Sequence, residues 1–244
     1  MPQQPRHLHE GEVGDRIVGF LPFVDDGAAA EYVLAPAGIL APAPTSIPLA
    51  DAAALPLVGL TAWQALFDHA ELKAGQRILI SGAGGAVGGY AVQLAKAAGA
   101  HVVATGSPRS IERVKAAGAD EVIDHTTTEV TAAVTEPVDV LLNLAPIDPT
   151  EFTALAGLVR DGGVVVSTTV WMPAPADEER GVRGIDLFVR SDAGQLSELV
   201  ARVDRGALTV DVAERVALAD LASVHARAAA GTLPGKVVVL PATA

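Results

Sequence analysis

The stretch RILISGAGGAVGGYAVQLAKAAGA, residues 77–100, decides the fold. Residues 77–80 form an apolar run closed by Ser81 and read as a buried strand. A glycine-rich turn follows over residues 82–88. The next segment places Val87, Tyr90, Ala91, Leu94, Ala95 and Ala98 at spacings of three and four, which predicts an amphipathic helix stopped near Gly99. Such a turn lets backbone approach a pyrophosphate, and the helix N-terminus offers free N–H groups and partial positive charge. The strict G-x-G-x-x-G pattern fails when started at Gly82, because Val87 occupies the third glycine position. Gly82, Gly85 and Gly88 give G-x-x-G-x-x-G instead. A glycine turn alone is a weak sign of a dinucleotide site; its place between strand and helix strengthens it.

Working outward, strand and helix alternate. Strands are predicted over residues 101–105, 121–123, 138–144, 164–169 and 184–190, with helices between most of them. Ser107 reads as an N-cap with Pro108 at the first helical position. Asp148-Pro149-Thr150-Glu151 reads as a capping box. This period predicts an α/β protein with a doubly wound parallel sheet. Upstream, residues 51–57 and 61–69 read as helices interrupted near Pro56 and Gly59. Residues 16–20 and 31–34 read as short strands of a β-rich piece too short to close a barrel. Downstream, residues 208–212 read as extended, 221–230 as a helix stopped at Gly231, and 236–240 as a final strand.

Composition bounds the function. The 244 residues are 50% hydrophobic and 19% charged, which excludes a disordered chain. The net charge of −12 argues against nucleic acid or anionic membrane as a partner. There is no cysteine, so disulfides, thiol nucleophiles and cysteine-ligated zinc are excluded. The longest apolar stretch, between Asp51 and Asp68, is broken by Pro56, Gly59, Thr61 and Gln64 and is shorter than a membrane span. The N-terminus lacks the apolar core of a signal peptide, and a cytoplasmic protein is the expectation. His7, His9, Glu10 and Glu12 could be drawn as a metal cluster, but a solvated tail accounts for them.

The end of the second strand of the alternating region bears on the choice of dinucleotide. An NAD site commonly places Asp or Glu there, against the ribose diol. This chain has Gly106-Ser107-Pro108-Arg109-Ser110, with no carboxylate to repel a 2′-phosphate. Ser107 can donate a hydrogen bond and Arg109 a charge-assisted one, which favours NADPH; the alternative is a solvated first-turn arginine. Lys115 is a weaker candidate. His125 follows the third strand, near where an adenine ribose would lie. Asn143, Thr168 and Thr169 end the fourth and fifth strands, on the side where open α/β sheets bind ligands. Thr61 is either a ligand-facing hydroxyl or a helix cap. No general acid stands out.

The segments GDRIVG (14–19), AEYVLAP (30–36), AAALPLVGLTAWQAL (52–66), the 77–100 stretch, GADEVIDH (118–125), DLFVRSDAGQL (186–196) and GKVVVL (235–240) together resemble the medium-chain dehydrogenase/reductase superfamily, specifically its zinc-independent quinone oxidoreductase branch. The resemblance implies a Rossmann domain over residues 51–206. It also implies a truncated GroES-like remnant over 1–50, rejoined by 207–244. It implies NADPH-dependent reduction of a quinone or other α,β-unsaturated carbonyl without metal. Gly85, Ala86 and Val87 would lie at the pyrophosphate, beside Gly82. Ser107, Arg109 and His125 would lie near the adenosine phosphate, and Thr61, Thr168, Thr169 and Val189 would flank the nicotinamide half. A homodimer joined edge to edge through 184–190 is implied as well. GDRIVG stands at residue 14, so most of the GroES-like part, which supplies a wall of the substrate cleft, is expected to be absent. Two other readings follow from that departure. One is a non-catalytic NADPH-binding interaction protein. The other is a non-redox cyclase or isomerase with Trp171 and Met172 at its site.

Overall fold

The structure is a computed structural model that describes residues 11–24 and 27–241. His7, His9 and Glu10 lie outside the described residues. The elements run β1 (Ile17–Gly19), β2 (Leu40–Pro42), α1 (Leu49–Ala52), α2 (Pro56–Trp63), β3 (Arg77–Ser81), α3 (Ala86–Ala97), β4 (His101–Gly106), α4 (Ile111–Ala116) and β5 (Glu121–Asp124). They continue with α5 (Val130–Ala133), β6 (Val138–Asn143), α6 (Pro149–Ala156), β7 (Val159–Ser167), β8 (Arg183–Asp186), α7 (Ala193–Asp204), β9 (Glu214–Ala217), α8 (Leu221–Ala229) and β10 (Val237–Leu240).

Six parallel strands form the central sheet in the order β5-β4-β3-β6-β7-β8. The period-2 alternation of each strand sorts side chains onto two faces. Ile78, Ile80, Val102, Ala104, Val140 and Leu142 pack on one side with residues of α2, α3 and α7. Leu79, Val103, Leu141 and Val165 pack on the other with Phe152 and Leu155 of α6 and Val130 of α5. The strands are buried on both faces, which is why they read as unbroken apolar runs. The chain reverses its winding between β3 and β6, the crevice where doubly wound sheets bind ligands.

Outside this sheet are two small ones: antiparallel β1–β2 and parallel β9–β10. The segment after β2 is tied to α7 by Asp204 at that helix's end, which accepts the amides of Thr45 and Ser46 at 2.8 and 2.9 Å. These bonds, that from Ser46 first, hold the Asp204 carboxyl below the ordinary carboxylate range.

Four local expectations are corrected. Residues 31–34 form no strand; Tyr32 and Leu34 are exposed, and β1 pairs instead with Leu40–Pro42. Gly59 does not interrupt a helix but lies inside α2, where a Cβ would come within 3.1 Å of Leu199 Cδ1 on α7. Pro56 occupies the first turn of α2, where its missing N–H costs nothing. The sixth strand ends at Asp186; the Leu187 N–H still donates to the Ser167 carbonyl at 2.8 Å, and residues 188–190 lie outside the strand. Strand β9 lies beyond the extended stretch expected at 208–212.

Truncating Leu141, fully buried in the middle of β6, removes packing from the sheet's centre. Leu141→Ala is expected to lower unfolding stability in urea by about 2–5 kcal/mol. Because the Asp204 pKa is depressed in the folded state, its contribution is present above the unfolded pKa and lost as pH falls through the folded one. Asp204→Asn should therefore flatten the acid side of the stability–pH curve, read by thermal melts across the carboxylate range.

Candidate nucleotide cleft

A cleft of about 800 Å³ opens at the carboxyl ends of the strands, at the point where the winding reverses. Four strand ends contribute: Gly82 after β3, Thr105–Ser107 at β4, His125 after β5, and Leu144–Pro146 after β6. The far wall is residues 231–235, between α8 and β10.

The glycine turn is shaped by its neighbours. Gly82 has φ +82°, and a Cβ there would lie 2.8 Å from that of Ala145. Its N–H donates to Thr105 Oγ1 at 2.9 Å, which ties the turn to β4. At Gly88 a Cβ would lie 2.3 Å from the Ala83 carbonyl oxygen, so the third glycine serves turn-to-helix packing. Gly85 is the N-cap of α3, and no side chain caps this end. Asp148 and Asp192 cap α6 and α7, whereas α1, α2, α4, α5 and α8 are uncapped like α3; what sets the α3 end apart is its place at the cleft. The first amides of α3 have no intrahelical acceptor, and the helix end borders the cleft through Gly85 and Ala86. An uncapped helix N-terminus in a cleft suits a diphosphate.

At the ends of β4 and β5 the structure brings Ser107, Arg109 and His125 into the same cleft as Gly82, Gly85 and Ala86. Arg109 and His125 are exposed, and among the described residues no hydrogen bond or ion pair engages the Arg109 side chain. Ser107 is not the N-cap of α4. Ser110 holds that position, and its hydroxyl accepts the Ser107 N–H at 3.0 Å. The Ser107 hydroxyl is therefore not spent on capping.

The other expected residues lie outside this cleft. Val87 is half-buried in the first turn of α3. Thr61 is buried inside α2 rather than capping it, and its hydroxyl donates to the Leu57 carbonyl at 2.7 Å. Thr168 Oγ1 donates to the Asn143 carbonyl at 3.3 Å. Thr169 shares a 2.8 Å hydroxyl contact with Ser167. Asn143 is fully buried and its Nδ2 donates to the Ala145 carbonyl at 3.0 Å, while its Oδ1 has no protein partner. Val189 packs partly buried against the larger core. The strand-end polar residues thus form a hydrogen-bonded group beside the cleft rather than part of its lining.

Sequence reasoning missed Thr105, Ser110, Arg113 and residues 231–235. The three-residue spacing of Ser110 and Arg113 on α4 was a usable signal. The 231–235 wall arrives through long-range folding and left no local trace.

Among the described residues no group of three or more His, Asp or Glu is arranged to hold a metal ion, and no helix is long and apolar enough to cross a membrane.

A family profile for zinc-binding dehydrogenase matches residues 117–239. The chain is 34% identical to a chloroplast envelope quinone oxidoreductase homolog of Arabidopsis thaliana, over 94% of this chain and 74% of that protein. It belongs to the medium-chain dehydrogenase/reductase superfamily, in the quinone oxidoreductase-like branch. A chloroplastic quinone oxidoreductase of Triphysaria versicolor is likewise 34% identical, over 93% of this chain and 73% of its own length. The quinone oxidoreductase of Coxiella burnetii superposes with a TM-score of 0.86 at 28% identity, covering 95% of this chain and 73% of that one. The six-stranded sheet is accordingly the Rossmann sheet of this superfamily.

The close approach at Gly88 is testable without any ligand. Gly88→Ala forces a methyl against the Ala83 backbone. It should lower stability by about 1–3 kcal/mol in denaturant titration, whereas Gly89→Ala, where nothing lies within 4 Å, should not destabilise.

Proposed function

We propose that this protein is a zinc-independent oxidoreductase that binds NADPH and reduces a quinone or other α,β-unsaturated carbonyl. The observation that carries the reading is the cleft itself. An uncapped helix N-terminus lies across it from an exposed, unengaged Arg109, and no carboxylate ends β4. The superfamily membership and the oxidoreductase names of its relatives support the same direction. The zinc-independent part rests on the absence of cysteine from the sequence.

In this reading the α3 amides from Ala86 onward and Gly85 bind the diphosphate, and the helix dipole offsets its charge. Arg109 and Ser107 bind the 2′-phosphate, with His125 beside the ribose. Gly82 lets the chain pass under the cofactor. Val87, in the first turn of α3, belongs to the diphosphate side with Gly85 and Ala86, and Thr61, Thr168, Thr169 and Val189 to the side where the nicotinamide would lie. There the hydroxyls of Thr168 and Thr169 orient the strand ends through Asn143. The bound nicotinamide supplies the hydride. Backbone and hydroxyl dipoles at the strand ends stabilise the negative charge that develops on the substrate oxygen.

The domain division at residues 50 and 206 belongs to the same proposal, as does a homodimer. β8 is one of the two outer strands of the sheet and the proposed seam for a second copy. A cytoplasmic setting is also part of it, although several relatives carry chloroplast or mitochondrial names.

A specific observation favours a second reading, a nucleotide-binding protein that acts through a partner. Val170, Trp171 and Phe188 stand exposed after β7 and β8, with Trp171 at 91%. Exposed apolar surface of this kind marks contact with another molecule. Turnover separates the two. Consumption of NADPH with a panel of quinones and enones supports the reductase; tight NADPH binding with no turnover on any of them supports the partner reading.

For the cofactor preference, Arg109→Ala is expected to weaken NADPH by roughly 1.5–3 kcal/mol, about 10- to 150-fold, and to leave NADH nearly unchanged. Fluorescence titration of both nucleotides reads this directly, and equal losses would exclude Arg109 from the 2′-phosphate.

A further inference from the structure

Ser110, the N-cap of α4, and Arg113 within that helix both meet the glycine turn at Gly84. A Cβ there would lie 2.4 Å from Ser110 Oγ and 2.7 Å from Ser110 Cβ. One helical turn on, Arg113 Nη2 donates to the Gly84 carbonyl at 2.7 Å. Residues three apart share a helix face, so Ser110 and Arg113 grip the same glycine together. The other atoms of the guanidinium face the C-terminal part of the chain. Arg113 Nε lies 3.6 Å from Asp211 Oδ2, and a Cβ on Gly235 would lie 3.7 Å from Arg113 Nη1. The segments carrying Asp211 and Gly235 are themselves joined, since the Ala213 N–H donates to the Lys236 carbonyl at 2.9 Å. Arg113 lines both the 800 Å³ cleft and an adjoining cavity of about 360 Å³ bounded by Tyr90, Asp211 and Lys236.

We propose that Arg113 is a positioning residue of the nucleotide site. It fixes the Gly84 carbonyl, and it fastens residues 231–235 as the far wall of the cleft. This rests on the dinucleotide reading above. The physical reasons are two. A carbonyl beside a bound diphosphate repels it, and a charge-assisted bond to a guanidinium offsets that repulsion. Gly84 and Gly85 are adjacent glycines with the largest conformational freedom of any residue type, so a turn held before binding loses less entropy when the ligand arrives. Arg109 and Arg113 thereby divide the work. Arg109 is unengaged among the described residues and available to a ligand. Arg113 is committed to the protein and serves what every dinucleotide shares.

The test uses the full chain with Arg113→Gln, Arg113→Lys and Asp211→Asn. Amide hydrogen exchange is measured without nucleotide, and NADPH and NADH are titrated by fluorescence. Arg113→Gln should speed exchange in both 82–88 and 231–236, leave β6 and α7 unchanged, and weaken NADPH and NADH by the same factor, about 5- to 20-fold. Asp211→Asn should speed exchange in 231–236 alone. Arg113→Lys, which keeps the charge and one donor, should recover part of the lost affinity for both nucleotides. Unchanged exchange in Arg113→Gln, with normal nucleotide binding, would overturn the role of Arg113 alone. A loss confined to NADPH would overturn it too, by making Arg113 a 2′-phosphate ligand. Failure of the unaltered protein to bind either nucleotide would instead overturn the dinucleotide reading.

Discussion

The turn from β3 into α3 constrains everything around it. A buried parallel strand must hand over to a helix within a few residues, and the helix's first amides must be left without protein acceptors. Neighbouring elements meet that demand. Thr105 of β4 takes the Gly82 amide, Ala145 after β6 packs on Gly82, and Ala83 packs under Gly88. Ser110 and Arg113 of α4 hold Gly84. These contacts come from β4, from the segment after β6, from α4 with its N-cap and from the turn itself, so the turn's shape depends on the sheet around it. The cleft is the space these contacts leave open at the reversal of winding.

Much of this was legible because it is local. The apolar runs of β3, β4, β6 and β7 are continuous, as strands covered on both faces must be. Gly99, Gly118, Gly206 and Gly231 all adopt positive φ at helix ends, as glycines in that place announce. The cleft residues Gly82, Gly85, Ala86, Ser107, Arg109 and His125 were readable because each follows a recognisable strand. What escaped is what depends on distant partners. Tyr32, Val33 and Leu34 look like part of a strand, but a strand exists only where an edge accepts it, and β1 pairs with Leu40–Pro42. β9 has mixed polar residues, and its register is set by β10. Ser107 looked like a cap because its hydroxyl precedes a helix, yet the bond runs the other way, from its own N–H to Ser110 Oγ.

The two sides of the cleft differ in kind. The side bordered by α3 and α4 is built from backbone, from Thr105, Ser110 and Arg113, which are bonded to it, and from Arg109, which is not engaged among the described residues. The strand-end hydroxyls and amide of Asn143, Ser167, Thr168 and Thr169 are engaged with one another, apart from the unpartnered Asn143 Oδ1. β1 and β2 add only a short antiparallel pair, and the segment after β2 is tied back by Asp204. The chain spans about three quarters of the length of its quinone oxidoreductase relatives, and nearly all of it is matched.

The central claim is that a phosphorylated dinucleotide sits across the α3 N-terminus with its 2′-phosphate against Arg109. Backbone amide chemical shifts of the 24.8 kDa chain, followed during NADPH addition, test it most directly. The account predicts the largest shifts at Gly85, Ala86, Val87, Ser107 and Arg109, with the last two moving far less for NADH. Shifts centred elsewhere, or none at saturating nucleotide, would contradict it.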